Sequence, residues 1–168
     1  MNNRLEIAKN IARSVHKNKT DKKGYPYLAH VFDVASRVKS LGESYEIVAL
    51  LHDVIEDAEP DDFKLEIQQK INESFDPYII EAIHALSRQP NEDYFEEYLV
   101  RLKKNKMAKT VKIADSSHNL SKAHLIDDDI QKQNKLRNKY IRVLDALDIE
   151  GEKQEIPLFF EDGEWKSH

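Results

Sequence analysis

The sequence predicts an all-α fold: a single helical bundle of about seven to eight helices. Three observations carry this. Apolar residues recur at helical spacing along nearly the whole chain. Glycine (4) and proline (5) are few among 168 residues, too few for a many-turned β-sandwich or a glycine-rich nucleotide fold. No internal repeat, low-complexity segment or linker divides the chain, and its length suits one domain with its own core.

The elements follow in order. Ile7, Ile11 and Val15 lie at i, i+4 and i+8 and predict a first helix. Gly24-Tyr25-Pro26 opens a second, with Pro26 in its first turn. Its inner face is Leu28, Val31, Phe32, Ala35 and Val38, and Gly42 ends it. A third helix starts near Glu43 or Ser44. It is apolar from Ile47 to Ile55 except for His52 and Asp53, so it should be central and buried on most sides. Glu59-Pro60-Asp61-Asp62 breaks the chain and starts a fourth helix. Ile79, Ile80, Ile83 and Leu86 mark a fifth after Pro77, and Ser87 to Asn91 forms a loop. Helices follow at about 92–104 and 107–120. Leu136, Tyr140, Val143, Leu144 and Leu147 give a last, strongly periodic one. The expected domain covers residues 1–148. Residues 149–168 form a tail without period, whose apolar group Ile156–Phe160 and Trp165 either docks on the body or joins a partner.

Composition narrows the function. With no cysteine, a disulfide scaffold, a cysteine zinc site, an iron–sulfur centre and a cysteine nucleophile are excluded, and a reducing compartment fits. No apolar run approaches the ~18 residues needed to span a bilayer, and the start Met1-Asn2-Asn3-Arg4-Leu5-Glu6 lacks the apolar region of a signal peptide. The expectation is a cytoplasmic protein with no membrane partner. A net charge of −5 gives no global attraction to nucleic acid, so none is expected as partner. The oligomeric state stays open. Six basic residues and no acidic ones lie between Arg101 and Lys112. They are either a solvated helix end or a local positive field for phosphates.

His52-Asp53 is the chemically unusual pair, since it interrupts the most apolar segment of the chain. A buried unpaired carboxylate costs several kcal/mol and is remedied by a counter-charge or a metal. No lysine or arginine lies between Ile47 and Pro60. His30, on the second helix, and Asp115, within Val111–Asp115, are candidate partners. Two imidazoles and two carboxylates make a site suited to manganese, iron or zinc, with positions left for water and substrate. Structural hydrogen bonding or capping is the alternative for the pair taken alone.

Four segments in order extend this: HKNKTDKKGYPYLAH (16–30), ALLHDVIEDA (49–58), NEDYFEEY (91–98) and VKIADSSHNL (111–120). Together they resemble the HD superfamily of metal-dependent phosphohydrolases, closest to the hydrolase domain of RelA/SpoT-type alarmone enzymes and their small stand-alone relatives. The resemblance implies His30, His52, Asp53 and Asp115 as metal ligands, and Glu56 and Asp57 as the acids that orient or activate the attacking water. It implies Asn119 as a substrate contact. The helical spacing of Glu56 and Asp57 behind His52-Asp53 would put ligands and base on one face of one helix. Lys112, three residues before Asp115, and Lys22 and Lys23 are expected to offset phosphate charge. His16 is expected to orient a ligand, and His84, His118 and His124 fall on no ligand position. The implied cofactor is a divalent cation, manganese first, with iron, zinc and magnesium as alternatives. Two departures stand out: Asp21 replaces the arginine that helps hold the nucleotide base in the alarmone enzymes, and Val31 replaces the proline after the ligand histidine. The expected function is a 3′-pyrophosphohydrolase of guanosine 3′-diphosphate 5′-di- or triphosphate. The alternatives are a nucleotide phosphomonoesterase of the same superfamily and a non-catalytic metal- and nucleotide-binding sensor.

Overall fold

The computed structural model describes residues 3–126 and 129–147, and the backbone of 159–161 and 164–166. Helix α1 is Arg4–His16, capped by the Asn3 side chain, which accepts from the Glu6 N–H. α2 is Tyr27–Val38 and α3 is Glu43–Leu50. Between them Gly42 sits at φ +116°, a conformation that side-chain-bearing residues rarely adopt, with open space where a Cβ would lie. α4 is the single turn Val54–Asp57, α5 is Asp61–Ser74, and α6 is Pro77–Leu86 with its proline in the first turn. A π-helical turn, Tyr94–Tyr98, capped by Asp93, runs into α7, Leu99–Leu102. α8, Lys106–Ser121, is capped by Asn105, and α9, Ile130–Ala146, by Asp129. Among the described residues seven helices have eight residues or more, and α4 and α7 are single turns. The all-α expectation holds for this body.

The core sits around α3, where Ile47 to Leu51 are all buried, with α1, α2, α6 and α8 packed against it. Burying an Ile or Leu side chain contributes about 1.5–3 kcal/mol, so this short helix fixes the positions of its neighbours. Val31, in place of the family proline, is fully buried in the same core.

The third helix departs from expectation. It does not run on through Ile55 but stops at Leu50, with Leu51 at φ −107°, ψ 7° and Asp53 at φ −114°, ψ 0°. The Leu51 N–H bonds back to Ile47 O and Val48 O, and the chain tightens before restarting at Val54. Apolar periodicity continues across the break because both pieces are buried, so the pattern hides the turn. Near the chain end β1, Phe159–Glu161, pairs antiparallel with β2, Glu164–Lys166. The expected docking of the tail's apolar side chains lies outside the described residues. Among those, no helix is long and apolar enough to cross a membrane.

Candidate metal centre and active site

The break after α3 aims the His-Asp pair. His52 Nδ1 lies 2.6 Å from the Ala49 carbonyl and donates to it. That leaves Nε2 to face Asp53 Oδ2 at 3.0 Å and Asp115 Oδ1 at 3.8 Å. From α2, His30 Nε2 lies 3.0 Å from Asp115 Oδ1, while its Nδ1 is 2.7 Å from His118 Nδ1. Tyr27, one turn before His30, donates its hydroxyl to Asp53 Oδ2. From α8, Asp115 Oδ2 accepts from Lys112 Nζ at 2.8 Å and Oδ1 from Asn119 Nδ2 at 2.8 Å. His30, His52 and Asp115 are buried, and Asp53 is half-buried.

This donor set fits a divalent cation. The Nε2 atoms of His30 and His52 are buried without a hydrogen-bond partner. The ligand atoms of His30, His52 and Asp53 lie within 4.8 Å of one another, and Asp115 Oδ1 reaches both imidazoles. A lone pair facing a carboxylate oxygen is unfavourable unless a proton or a cation lies between them. Metal–ligand bonds of about 2.0–2.2 Å put neighbouring ligands about 3–4 Å apart, and His52 Nε2–Asp53 Oδ2, His30 Nε2–Asp115 Oδ1 and His52 Nε2–Asp115 Oδ1, at 3.0, 3.0 and 3.8 Å, fall in that range. The ring nitrogens on the far side are held by the Ala49 carbonyl and by His118, the usual way of fixing a ligand histidine's tautomer.

The electrostatics agree. Burial by itself disfavours charge on His52, but Asp53 and Asp115 outweigh it and push its pKa up to about 9. Without a cation the ring therefore carries a proton in the cluster. Burial raises the carboxyl pKa of Asp115, yet Lys112 and the imidazoles hold it well below the usual range. Asp53 is likewise lowered, because His52 overrides burial. His16 is fully buried with both ring nitrogens unpartnered, Nδ1 standing 3.5 Å from Asp57 Oδ2. Desolvation lowers its pKa to about 4, so it is neutral.

Beside the cluster lies a cavity of about 510 Å³ bordered by Asp53, Glu56, Asp57, Asp115 and Asn119. Glu56 Oε1 accepts from the Arg88 backbone N–H at 2.6 Å. Desolvation raises the Glu56 pKa against that hydrogen bond, with Asp53 and Asp57 adding to the rise. Asp57 is raised by burial and by Asp53, and Lys19 Nζ stands 3.7 Å from its Oδ2. Lys22, Lys23 and Lys112 border the same cavity. Lys23 is partly engaged, its Nζ 3.1 Å from Asp21 Oδ2.

The ten residues singled out in the sequence are thus brought together, although Glu56 and Asp57 reach the cavity from α4, across the break, and not along one continuous helix. Asp21 organises its own loop: Oδ1 accepts from the Lys23 and Tyr25 N–H groups at 2.8 and 3.0 Å. Of the basic run only Lys112 borders the cavity. Arg101 instead holds Glu92 and the last carbonyls of α6.

Sequence reasoning missed several neighbours. His118, set aside as no ligand, is buried against His30. Its signal was its place three residues after Asp115, hence on a similar face of α8. Tyr27 stands three residues before His30 in the same way. Lys139 and Tyr140 of α9 also border the cavity, and only the fold brings them there. Burial, Lys22 and Lys112 all lower the Lys139 pKa, so these lysines are close enough to build one positive wall.

A helical body that breaks a buried helix at a His-Asp pair and brings a second histidine and aspartate onto it defines a class, the HD-type metal-dependent phosphohydrolases. The HD domain family profile matches residues 8–137, and the chain belongs to that family. Over 122 residues, 66% of the chain, it is 27% identical to the guanosine-3′,5′-bis(diphosphate) 3′-pyrophosphohydrolase of Haemophilus influenzae, and it spans 17% of that protein's length. This agrees with the likeness to RelA/SpoT-type enzymes carried by the four sequence segments.

Proposed function

We propose that the chain hydrolyses a nucleotide 3′-pyrophosphate, best matched by guanosine 3′-diphosphate 5′-di- or triphosphate, releasing pyrophosphate. The observation that carries this reading is the His30–His52–Asp53–Asp115 cluster beside one cavity that Glu56 and four lysines border. His30, His52, Asp53 and Asp115 would hold a divalent cation; the mixed imidazole and carboxylate set suits manganese, iron or zinc, and the family resemblance puts manganese first. When bound, such a cation supplies Lewis acidity to the phosphoryl group and to the attacking water.

The chain's own groups do the rest. Glu56, held at one oxygen by the Arg88 N–H, keeps the other for a water proton, and its raised pKa makes it a stronger base than a solvated carboxylate. Asp57 assists and is steadied by Lys19. Lys112, Lys22 and Lys139 offset the charge that builds on the phosphoryl oxygens and the leaving pyrophosphate. Asn119 borders the cavity while its amide holds Asp115. His16 packs its ring 5.0 Å from that of Tyr27 and keeps the region behind Asp57 dry and neutral.

One observation favours a second reading, another nucleotide of the same general kind. Asp21 stands where the family's base-holding arginine would be, and its carboxylate is occupied by its own loop. The test is incubation of the manganese-loaded protein with a nucleotide panel that includes guanosine 3′-pyrophosphates, every product being identified by mass. Pyrophosphate with the matching 5′-nucleotide supports the first reading. Orthophosphate from another nucleotide moves the substrate. No product while the metal is bound favours a sensor.

A further inference from the structure

A second cavity, of about 660 Å³, adjoins the first at Glu56, which borders both. Its walls come from α4, α5, α6 and the loop 87–91, and besides Glu56 and the polar loop residues they carry Lys64, Gln68, His84 and Arg88. Lys64 is half-buried, and its ammonium has no ion pair or hydrogen bond among the described residues. Arg88 gives Nε and Nη2 to the Glu92 carbonyl, at 2.9 and 2.7 Å, and keeps Nη1.

The groups that would repel an anion are few, and each has a partner that takes up part of its charge. Glu56, the only acid lining this cavity among the described residues, has Oε1 engaged by the Arg88 N–H and stands at the edge shared with the first cavity. The carbonyls ending α6, which carry the negative pole of the helix, are covered by Arg101, whose Nη1 and Nη2 reach Ala85 O and Ser87 O at 3.3 and 3.0 Å. Arg101 also pairs with the Glu92 carboxylate at 2.7 and 2.9 Å. Lys64 and Arg88 are the cationic side chains on the space, with the amides of Gln68, Gln89 and Asn91 beside them.

We propose that this second cavity is a subsite for a phosphate group, with Lys64 as its principal cation and Arg88 as its second. The phosphate is either the distal one of a bound nucleotide or a free anion. The first source rests on the phosphohydrolase reading above; the subsite itself does not. Because Arg88 also holds Glu56, an occupant here bears on the group that faces the water.

The first test uses inorganic pyrophosphate titrated calorimetrically into chelator-treated protein. Lys64→Gln should weaken binding at least fivefold with an unchanged thermal midpoint, and Lys64→Arg should restore it to within twofold. Lys70→Gln, at an exposed position of the same helix α5 that lines neither cavity, should leave binding within twofold. Wild-type protein that binds no pyrophosphate, or Lys64→Gln that binds it like wild type, overturns the proposal. Steady-state kinetics then separate the sources. A KM raised at unchanged kcat in Lys64→Gln marks the substrate's own phosphate. Noncompetitive modulation by pyrophosphate that the variant loses marks a free anion. Neither change overturns the proposal. An enzyme that turns over no nucleotide would sink the hydrolase reading and leave the calorimetric result standing.

Discussion

Asp115→Asn keeps the shape of a residue at the centre of the site and removes its charge. Lys112 is then left with its side chain only 12% exposed and its 2.8 Å partner gone. Breaking a buried pair from one side costs about 3–5 kcal/mol. Asp53 still attracts Lys112 and is relieved of repulsion from Asp115, so the lower end, about 3 kcal/mol, is expected. For a chain of this size each kcal/mol moves the midpoint by about 2–4 °C, giving a fall of about 6–12 °C in chelator. The cation response is the sharper reading. At a hundred times its Kd a ligand adds about 2.7 kcal/mol to stability, and at its Kd only about 0.4. A hundredfold loss of affinity at one fixed manganese concentration therefore shrinks a wild-type rise of about 5–11 °C to about 1–2 °C. Differential scanning calorimetry with chelator and with manganese reads both numbers. A full manganese-dependent rise in Asp115→Asn would refute Asp115 as part of the cation site.

Three further outcomes follow. Glu56→Gln keeps an acceptor for the Arg88 N–H but no base, so kcat should fall about 10²–10⁴-fold while manganese affinity, measured by titration, stays within twofold; equal turnover would remove Glu56 from the chemistry. His118→Ala takes away the partner of His30 Nδ1 and should weaken manganese binding about 10–100-fold and alter the visible spectrum of the cobalt-substituted protein, whereas a purely packing role would change stability alone. In the metal-free protein the pH dependence has two limbs. His16, lowered to about 4, contributes fully above its ordinary value of 6.5 and is lost as pH falls toward 4; His52, raised to about 9, contributes fully below 6.5 and is lost as pH rises through 9. Each pH unit between the folded and unfolded pKa values is worth about 1.4 kcal/mol. Urea unfolding across pH 4–9 should show both limbs, and manganese should flatten the alkaline one because a ligating His52 is neutral, with no proton on Nε2 to lose; an alkaline limb unchanged by manganese would contradict ligation by His52.

Much of this was legible in the chain because the helices are amphipathic and their ends carry local signals. Pro77 sits in the first turn of α6, and Gly42 provides the positive φ before α3. The cluster could be proposed because His52-Asp53 conflicts with its apolar surroundings, and a buried charge demands a partner. The break at Leu51–Asp53 was not legible. Both sides of it are buried, so hydrophobic spacing carries no trace of a turn made by backbone angles. His118 was passed over because its partner, His30, is 88 residues away, and Lys139 and Tyr140 because their place on the wall depends on how α9 packs. The second cavity around Lys64 had no sequence signal, since a lysine on a polar helix face looks the same whether it faces solvent or a pocket.

The most direct test of the central claim is hydrolysis of guanosine 3′-diphosphate 5′-diphosphate by the manganese-loaded protein in ¹⁸O-labelled water, with both products weighed by mass spectrometry. In the proposed reaction, water directed at phosphorus by Glu56 breaks the bond between that phosphorus and the ribose 3′ oxygen. The account predicts one ¹⁸O in pyrophosphate and none in guanosine 5′-diphosphate. Label in the nucleotide, or orthophosphate as the product, would contradict it.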